Sequence, residues 1–205
     1  MFENMKMKNI KTRSLGLFPL SMVILPKESI RLHIYQVQFK ALVNDCFASG
    51  NDFVVPFVYE GKQTSFGTCV KLVDVERFYP DGKMDIKVEG GAIVRISNIK
   101  ENKSNTYQTG EIEKVESSLP EIHSEELKDL FQKYCAFTNS SMSSNQDFSL
   151  YGIARNIKLD KPTKVKLLRN SANPVVQSKI ILNELRLLVL THQLQDAAGF
   201  RYYMN

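Results

Sequence analysis

Residue types able to do acid–base, nucleophilic or metal chemistry are few and scattered in this chain. Its three histidines, His33, His123 and His192, lie far apart. None stands at metal-ligand spacing from a cysteine or another histidine. The three cysteines, Cys46, Cys69 and Cys135, are odd in number and widely spaced. That pattern suits reduced core thiols in a reducing compartment, hence a cytoplasmic location, and not a disulfide framework. The serines of Ser140–Ser144 have the composition of a polar loop, without the strand–turn–helix setting of a nucleophile elbow. Glu125 and Glu126 open a helix, where the dipole favours carboxylates without any catalytic role. Neither a G-x-x-x-x-G-K-[ST] phosphate loop nor a G-x-G-x-x-G turn occurs. The expectation is no catalytic residue, no metal ligand, no cofactor and no enzyme activity.

Two features point to binding instead. Aromatic residues crowd the first half: Phe18, Tyr35, Phe39, Phe53, Phe57, Tyr59, Phe66, Phe78 and Tyr79. Most belong in a core, and any left exposed would mark a protein-binding surface. The net charge of +5 is compatible with an anionic partner. Much of the excess sits in the N-terminal segment and in Lys158–Arg169, which also fits a solvated basic face.

The elements that must carry these residues change character along the chain. Phe53–Tyr59, Thr68–Val75, Met84–Val88, Ala92–Ile99 and Tyr107–Val115 are rich in β-branched residues or alternate apolar with polar ones. Turn signals separate them: Glu60-Gly61-Lys62, Tyr79-Pro80-Asp81-Gly82-Lys83, Gly90-Gly91 and Lys100–Thr106. Such a series builds a small barrel or a sandwich. One helix interrupts it, with Tyr35, Phe39, Leu42, Val43, Cys46 and Phe47 on one face and Gly50 as the C′ residue. After Pro120 the pattern turns helical. Ser124 and Asp147 are candidate N-caps, Lys161-Pro162-Thr163 opens a helix, and Asn173-Pro174 starts a long one that packs internally by default.

The apolar run Leu15–Leu25 is too short to span a bilayer and contains Pro19, and no small-x-small cleavage site follows it. It reads as the first strand or strands of a domain behind a flexible basic arm, Met1–Ser14. The organisation is therefore an arm over residues 1–14, a β-rich part over 15–118 and a helical part over 119–205, in the α+β class, with no membrane contact expected.

Phe18-Pro19-Leu20, Val23, Leu25-Pro26 and Leu32-His33-Ile34-Tyr35 together resemble the start of the Lon protease N-terminal domain family. Phe66-Gly67-Thr68, Tyr79–Lys83, Val88-Glu89-Gly90, Arg95-Ile96 and Tyr107–Glu113 follow in the family's order. The charged pair the family carries after this opening is replaced by Gln36-Val37-Gln38-Phe39. The resemblance implies a pseudo-barrel related to PUA domains, packed on a helical bundle that ends in a long helix. It implies a standalone, non-catalytic module without the ATPase and Ser–Lys protease parts. Its partners would be unfolded or misfolded polypeptide, with a separate AAA+ protease as a further one. The candidate peptide-binding residues are Tyr35, Phe39, Phe57 and Tyr59. The alternative is an RNA-binding PUA-like domain using Lys158, Lys161, Lys164, Lys166 and Arg169, or the basic arm. Against it stand the acidic stretch Glu111–Glu126 and the lack of aromatic–basic interleaving.

Overall fold

The computed structural model describes residues 13–101, 106–115, 124–138 and 149–202, with the backbone alone for Tyr59 and residues 196–202. The chain forms two compact units, residues 1–115 and 116–205. Unit 1 holds six strands and one helix: β1 (Arg13–Gly16), β2 (Ser29–Ile34), α1 (Val37–Ser49), β3 (Phe53–Tyr59), β4 (Lys62–Phe78), β5 (Met84–Glu101) and β6 (Gln108–Lys114). Unit 2 holds α2 (Glu125–Phe137), α3 (Leu150–Asn156), α4 (Lys161–Arg169) and α5 (Pro174–Tyr202). This is the expected α+β plan, a β part followed by helices.

The sheet is antiparallel in the order β1-β6-β5-β4-β3, with β2 added beside β5. Leu17 and Leu20, just after β1, bridge to Val54 and Phe57 of β3. These bridges link the two ends of the sheet and close it into a barrel-like unit, which removes most of its edges. β1 begins at Arg13, paired with Ile112, and Ser14 pairs with Glu111. Arg13 and Ser14 therefore belong to the sheet and not to the basic arm. Residues 1–12, the rest of that arm, lie outside the described residues, as does the expected boundary around Ser117–Pro120.

Hairpin chemistry follows the turn residues. Glu60 and Gly61 both have positive φ, the requirement of a two-residue I′ turn, and they connect the paired Tyr59 and Lys62. The Tyr79–Lys83 turn is closed by Gly82 N–H donating to Tyr79 O at 2.9 Å. Gly90-Gly91 behaves differently from the expected break, because β5 runs through it unbroken. A Cβ on Gly90 would collide with the Leu25 carbonyl and come within 2.9 Å of Ile24. The glycine lets the β1–β2 connection cross close above the strand, and Lys27 N–H donates to Gly90 O at 2.6 Å.

Two apolar clusters fill unit 1. The larger joins Phe18, Leu32 and Ile34 to Leu42, Val43 and Cys46 of α1 and to Met84, Ile86 and Val88 of β5. The smaller joins Leu15, Leu17, Val54, Val94, Ile96 and Ile112. Helix α1 ends as its sequence predicts, with Gly50 in the left-handed region and its N–H donating to Cys46 O. Its apolar face is narrower than expected. Tyr35 precedes the helix, and Phe47 is 69% exposed.

In unit 2, α2, α3 and α4 pack against α5. Ser124 caps α2, and Asp160 Oδ1 caps α4 by accepting from Thr163 N–H at 2.8 Å. The cap of α3 is Ser149, whose Oγ accepts from Gly152 N–H at 3.0 Å. Asp147, the expected cap, lies outside the described residues. Asn173 Oδ1 accepts from Val176 N–H at the start of α5. Ile180, Ile181, Leu185 and Val189 of α5 are buried, whereas Leu187, Leu190 and Leu194 stay exposed.

A candidate polypeptide-binding surface

The outward row of β4-β5-β2 brings together residues distant in sequence. The register sets Arg77 opposite Asp85 and Asp85 opposite His33. Successive residues of a strand face opposite sides, so this row shares one face while the neighbouring Ile34 and Met84 turn into the core. His33 Nδ1 lies 2.6 Å from Asp85 Oδ1, and Tyr79 Oη donates to Asp85 Oδ2 at 2.7 Å. Tyr79 meets the His33 ring edge-on at 5.7 Å, and Tyr35 stacks on it at 6.2 Å. The Arg77 guanidinium sits 4.9 Å above the Tyr79 ring.

This cluster has no catalytic arrangement. Both Asp85 oxygens are engaged, and the hydrogen bonds from His33 and then Tyr79 hold its carboxyl below the usual carboxylate range. A carboxylate so satisfied is a poor base. Among the described residues no hydroxyl or thiol nucleophile bonds His33, and no group of histidine, cysteine and carboxylate side chains is arranged to hold a metal ion. The cluster instead offers aromatic faces and a guanidinium on a rigid sheet, which suit side-chain recognition.

The four residues expected to bind peptide do not converge. Tyr35 is 59% exposed at the β2–α1 junction and belongs to the cluster. Phe39 is half-buried on α1, its ring 4.0 Å from that of Phe18, so it packs on the core and is only partly exposed. Phe57 is a correction: it is 0% exposed on β3, where its backbone bridges to Leu20 as the barrel closes. It cannot touch a ligand in this fold. Tyr59 pairs with Lys62 at the hairpin end, and its side chain lies outside the described residues. The sequence reading missed Arg77, Tyr79 and Asp85 as partners of Tyr35. Tyr79 read as one of the crowded aromatics and as a turn residue, and no local signal announces the cross-strand register that joins it and Asp85 to His33.

Other expectations resolve structurally. His192 stacks on Phe137 at 5.8 Å and meets Tyr134 edge-on at 6.0 Å, so it is a packing residue. Lys158, Lys161, Lys164, Lys166 and Arg169 lie on α4 and the turn before it. Among the described residues of unit 2, the large apolar side chains left exposed are all aliphatic, so no exposed ring interleaves that basic stretch.

Comparison with known proteins gives the family. A profile described as the ATP-dependent protease La (LON) substrate-binding domain matches residues 14–187. The chain belongs to this family. A solved Lon N-terminal domain protein from Xanthomonas campestris superposes with a TM-score of 0.62 at 24% identity, covering 76% of this chain and 89% of that one. The N-terminal domain of Mycobacterium avium complex Lon protease gives a TM-score of 0.51 at 14% identity, covering 88% and 98%. At these identities the two neighbours establish the LON substrate-binding fold alone. A Rickettsia typhi protein named DNA ligase is 29% identical over 146 residues, 66% of this chain. The match spans only 21% of that protein's length. The LON motif residues are mostly architectural here: Phe18, Leu25, Leu32 and Ile34 are buried, and Thr68 Oγ1 donates to Ile24 O at 2.6 Å. No helix of the described residues is long and apolar enough to cross a membrane.

Proposed function

We propose that this chain is a non-catalytic polypeptide-binding module that recognises exposed apolar segments of unfolded or misfolded proteins. The observation that carries this reading is the match to a LON substrate-binding domain over residues 14–187. The exposed aromatic cluster around Tyr35 and His33 supports it, because a soluble domain rarely leaves stacked rings on a rigid sheet without a partner. Within this reading Tyr35 and the half-buried Phe39 meet the client, Tyr79 and Arg77 extend the surface, and Phe57 is part of the barrel and not of the contact. Such a module serves protein quality control in the cytoplasm, and a separate AAA+ protease is the partner that would act on the bound client. The ligase name of the Rickettsia typhi relative belongs to a far longer protein and lends no activity to this domain.

The test is fluorescence anisotropy with two probes, a labelled reduced and carboxymethylated polypeptide and a labelled RNA hairpin, at low and moderate salt. The expected outcome is salt-tolerant binding of the polypeptide, weakened about tenfold by Tyr35→Ala, the loss of one aromatic contact. Binding of the RNA alone, falling steeply with salt, would replace this reading with nucleic-acid recognition.

A further inference from the structure

Strand β4 is far longer than the strand beside it. β3 pairs with β4 only up to Phe53 opposite Val70, yet β4 continues through Lys71–Phe78 with β5 as its sole strand neighbour among the described residues. One row of N–H and C=O groups in that extension is used by β5. The other row faces the lane β3 would occupy if it continued, and no described group bonds to it. β3 does not fill that lane because the chain arrives from α1 through the left-handed Gly50, Asn51 and Asp52 and enters the sheet only at Phe53.

An open crevice of about 220 Å³ lies along this lane. Five consecutive β4 residues, Lys71–Val75, line one side of it, with Phe47 and Asp52 opposite. Side chains alternate between faces, so five in a row are all presented only along a strand's edge. The half-buried Leu72 and Val75 join the core below. Phe47, 69% exposed, and Val73, 49% exposed, form an apolar rim. Asp52 and Asp74 outweigh Lys71 in charge.

We propose that this lane takes an extended polypeptide segment as an added strand on Lys71–Phe78. An apolar side chain of the segment sits between Phe47 and Val73, and a basic one faces Asp52 and Asp74. The inference rests on the polypeptide-binding reading and gives it a mode of contact. Backbone groups at strand spacing are matched by any extended chain whatever its sequence, which suits a module with varied clients. A helix has no free backbone row to offer, and a nucleic acid would meet the acidic rim. The ladder shifts register between Leu72 and Asp74 and again between Val75 and Arg77. These bulges twist the edge, so the lane holds a short segment of roughly four to six residues and resists pairing between long edges of two copies.

The probe is a fluorescein-labelled decapeptide alternating valine and lysine, titrated into the full chain by anisotropy. Its counterparts are a valine–glutamate peptide and a valine–lysine peptide N-methylated along one edge. Expected are binding of the valine–lysine peptide and at least tenfold weaker binding of both counterparts. Phe47→Ala and Asp74→Lys, two exposed positions that leave the core intact, each weaken binding about fivefold, while Val175→Ala, at an exposed position of unit 2, leaves it within twofold. Amide exchange of Lys71–Phe78 slows on binding. Indifference to N-methylation, or to both variants, overturns the added strand. If the carboxymethylated polypeptide binds and only Tyr35→Ala weakens it, this inference falls and the polypeptide-binding reading stands. If no polypeptide probe binds, both fall.

Discussion

Cys46 and Cys69 both feel the Asp52 carboxylate, and both thiols are held protonated. Burial pushes Cys46 up to about 11, with Asp45 and Asp52 adding to it. Burial, then Asp52, pushes Cys69 up to about 12, and its Sγ lies 3.7 Å from Asp52 Oδ2. The thiolate is the reactive form, so at pH 8 these residues should alkylate on the order of a hundredfold more slowly than cysteines of the unfolded chain. Iodoacetamide kinetics with peptide mapping check this: the Cys46 rate should keep rising about tenfold per pH unit until pH nears about 11, whereas that of the unfolded chain levels off above about pH 8.5. The sequence reading of these cysteines as inert residues needed only their apolar neighbours. Tyr35 and Phe57 show the limit of that approach. Both are aromatic and lie in apolar-rich stretches, yet one is exposed and the other is fully buried on β3.

Two crossings of the sheet can be tested as elements. At Gly90 the β1–β2 connection lies so close that a Cβ meets the Leu25 carbonyl and the Ile24 side chain. Backbone cannot retreat as a flexible side chain can, so Gly90→Ala should cost at least about 2 kcal/mol. Urea unfolding measures it. The second crossing ties β2 to β5 through His33 and Asp85, with Tyr79 of the hairpin as the other donor. Asp85 titrates below its usual range in the folded state. Its contribution is therefore full above the unfolded value, near pH 4, and is lost as pH falls through the lower folded value. Between pH 6 and pH 2.5 the wild-type melting temperature should drop further than that of Asp85→Asn, which has no such carboxylate to protonate. Thermal melts at the two pH values compare them.

At the scale of the whole chain, both apolar clusters of the barrel are drawn entirely from residues 15–107 and 112, all within unit 1. The strands that close the barrel also lie within it. A fragment of residues 13–115 should therefore fold alone, with a cooperative melt and a strand-rich circular dichroism spectrum. It should keep the valine–lysine peptide affinity of the full chain, because every residue of the β4 lane is in that unit. A fragment without a cooperative transition would show that the helical unit is needed for the barrel to stand.

By itself the sequence determined the local elements. Glu60-Gly61 and Tyr79–Lys83 specify hairpins because their backbone conformations suit few other residues. Gly50 ends α1, Ser124 starts α2, and Asn173-Pro174 starts α5, each through a cap formed by residues a turn away. The order of motifs from Phe18 to Glu113 also points to the family. Only the tertiary structure decided what lies on which surface. The continuity of β5 through Gly90-Gly91 depends on a chain passing above it. The His33–Asp85–Tyr79 cluster depends on the register of three strands. The open lane beside β4 exists because β3 leaves at Phe53 while β4 runs on to Phe78. Pairing and strand ends of this kind are set by contacts between distant residues, and the order of residues along a single strand carries no record of them.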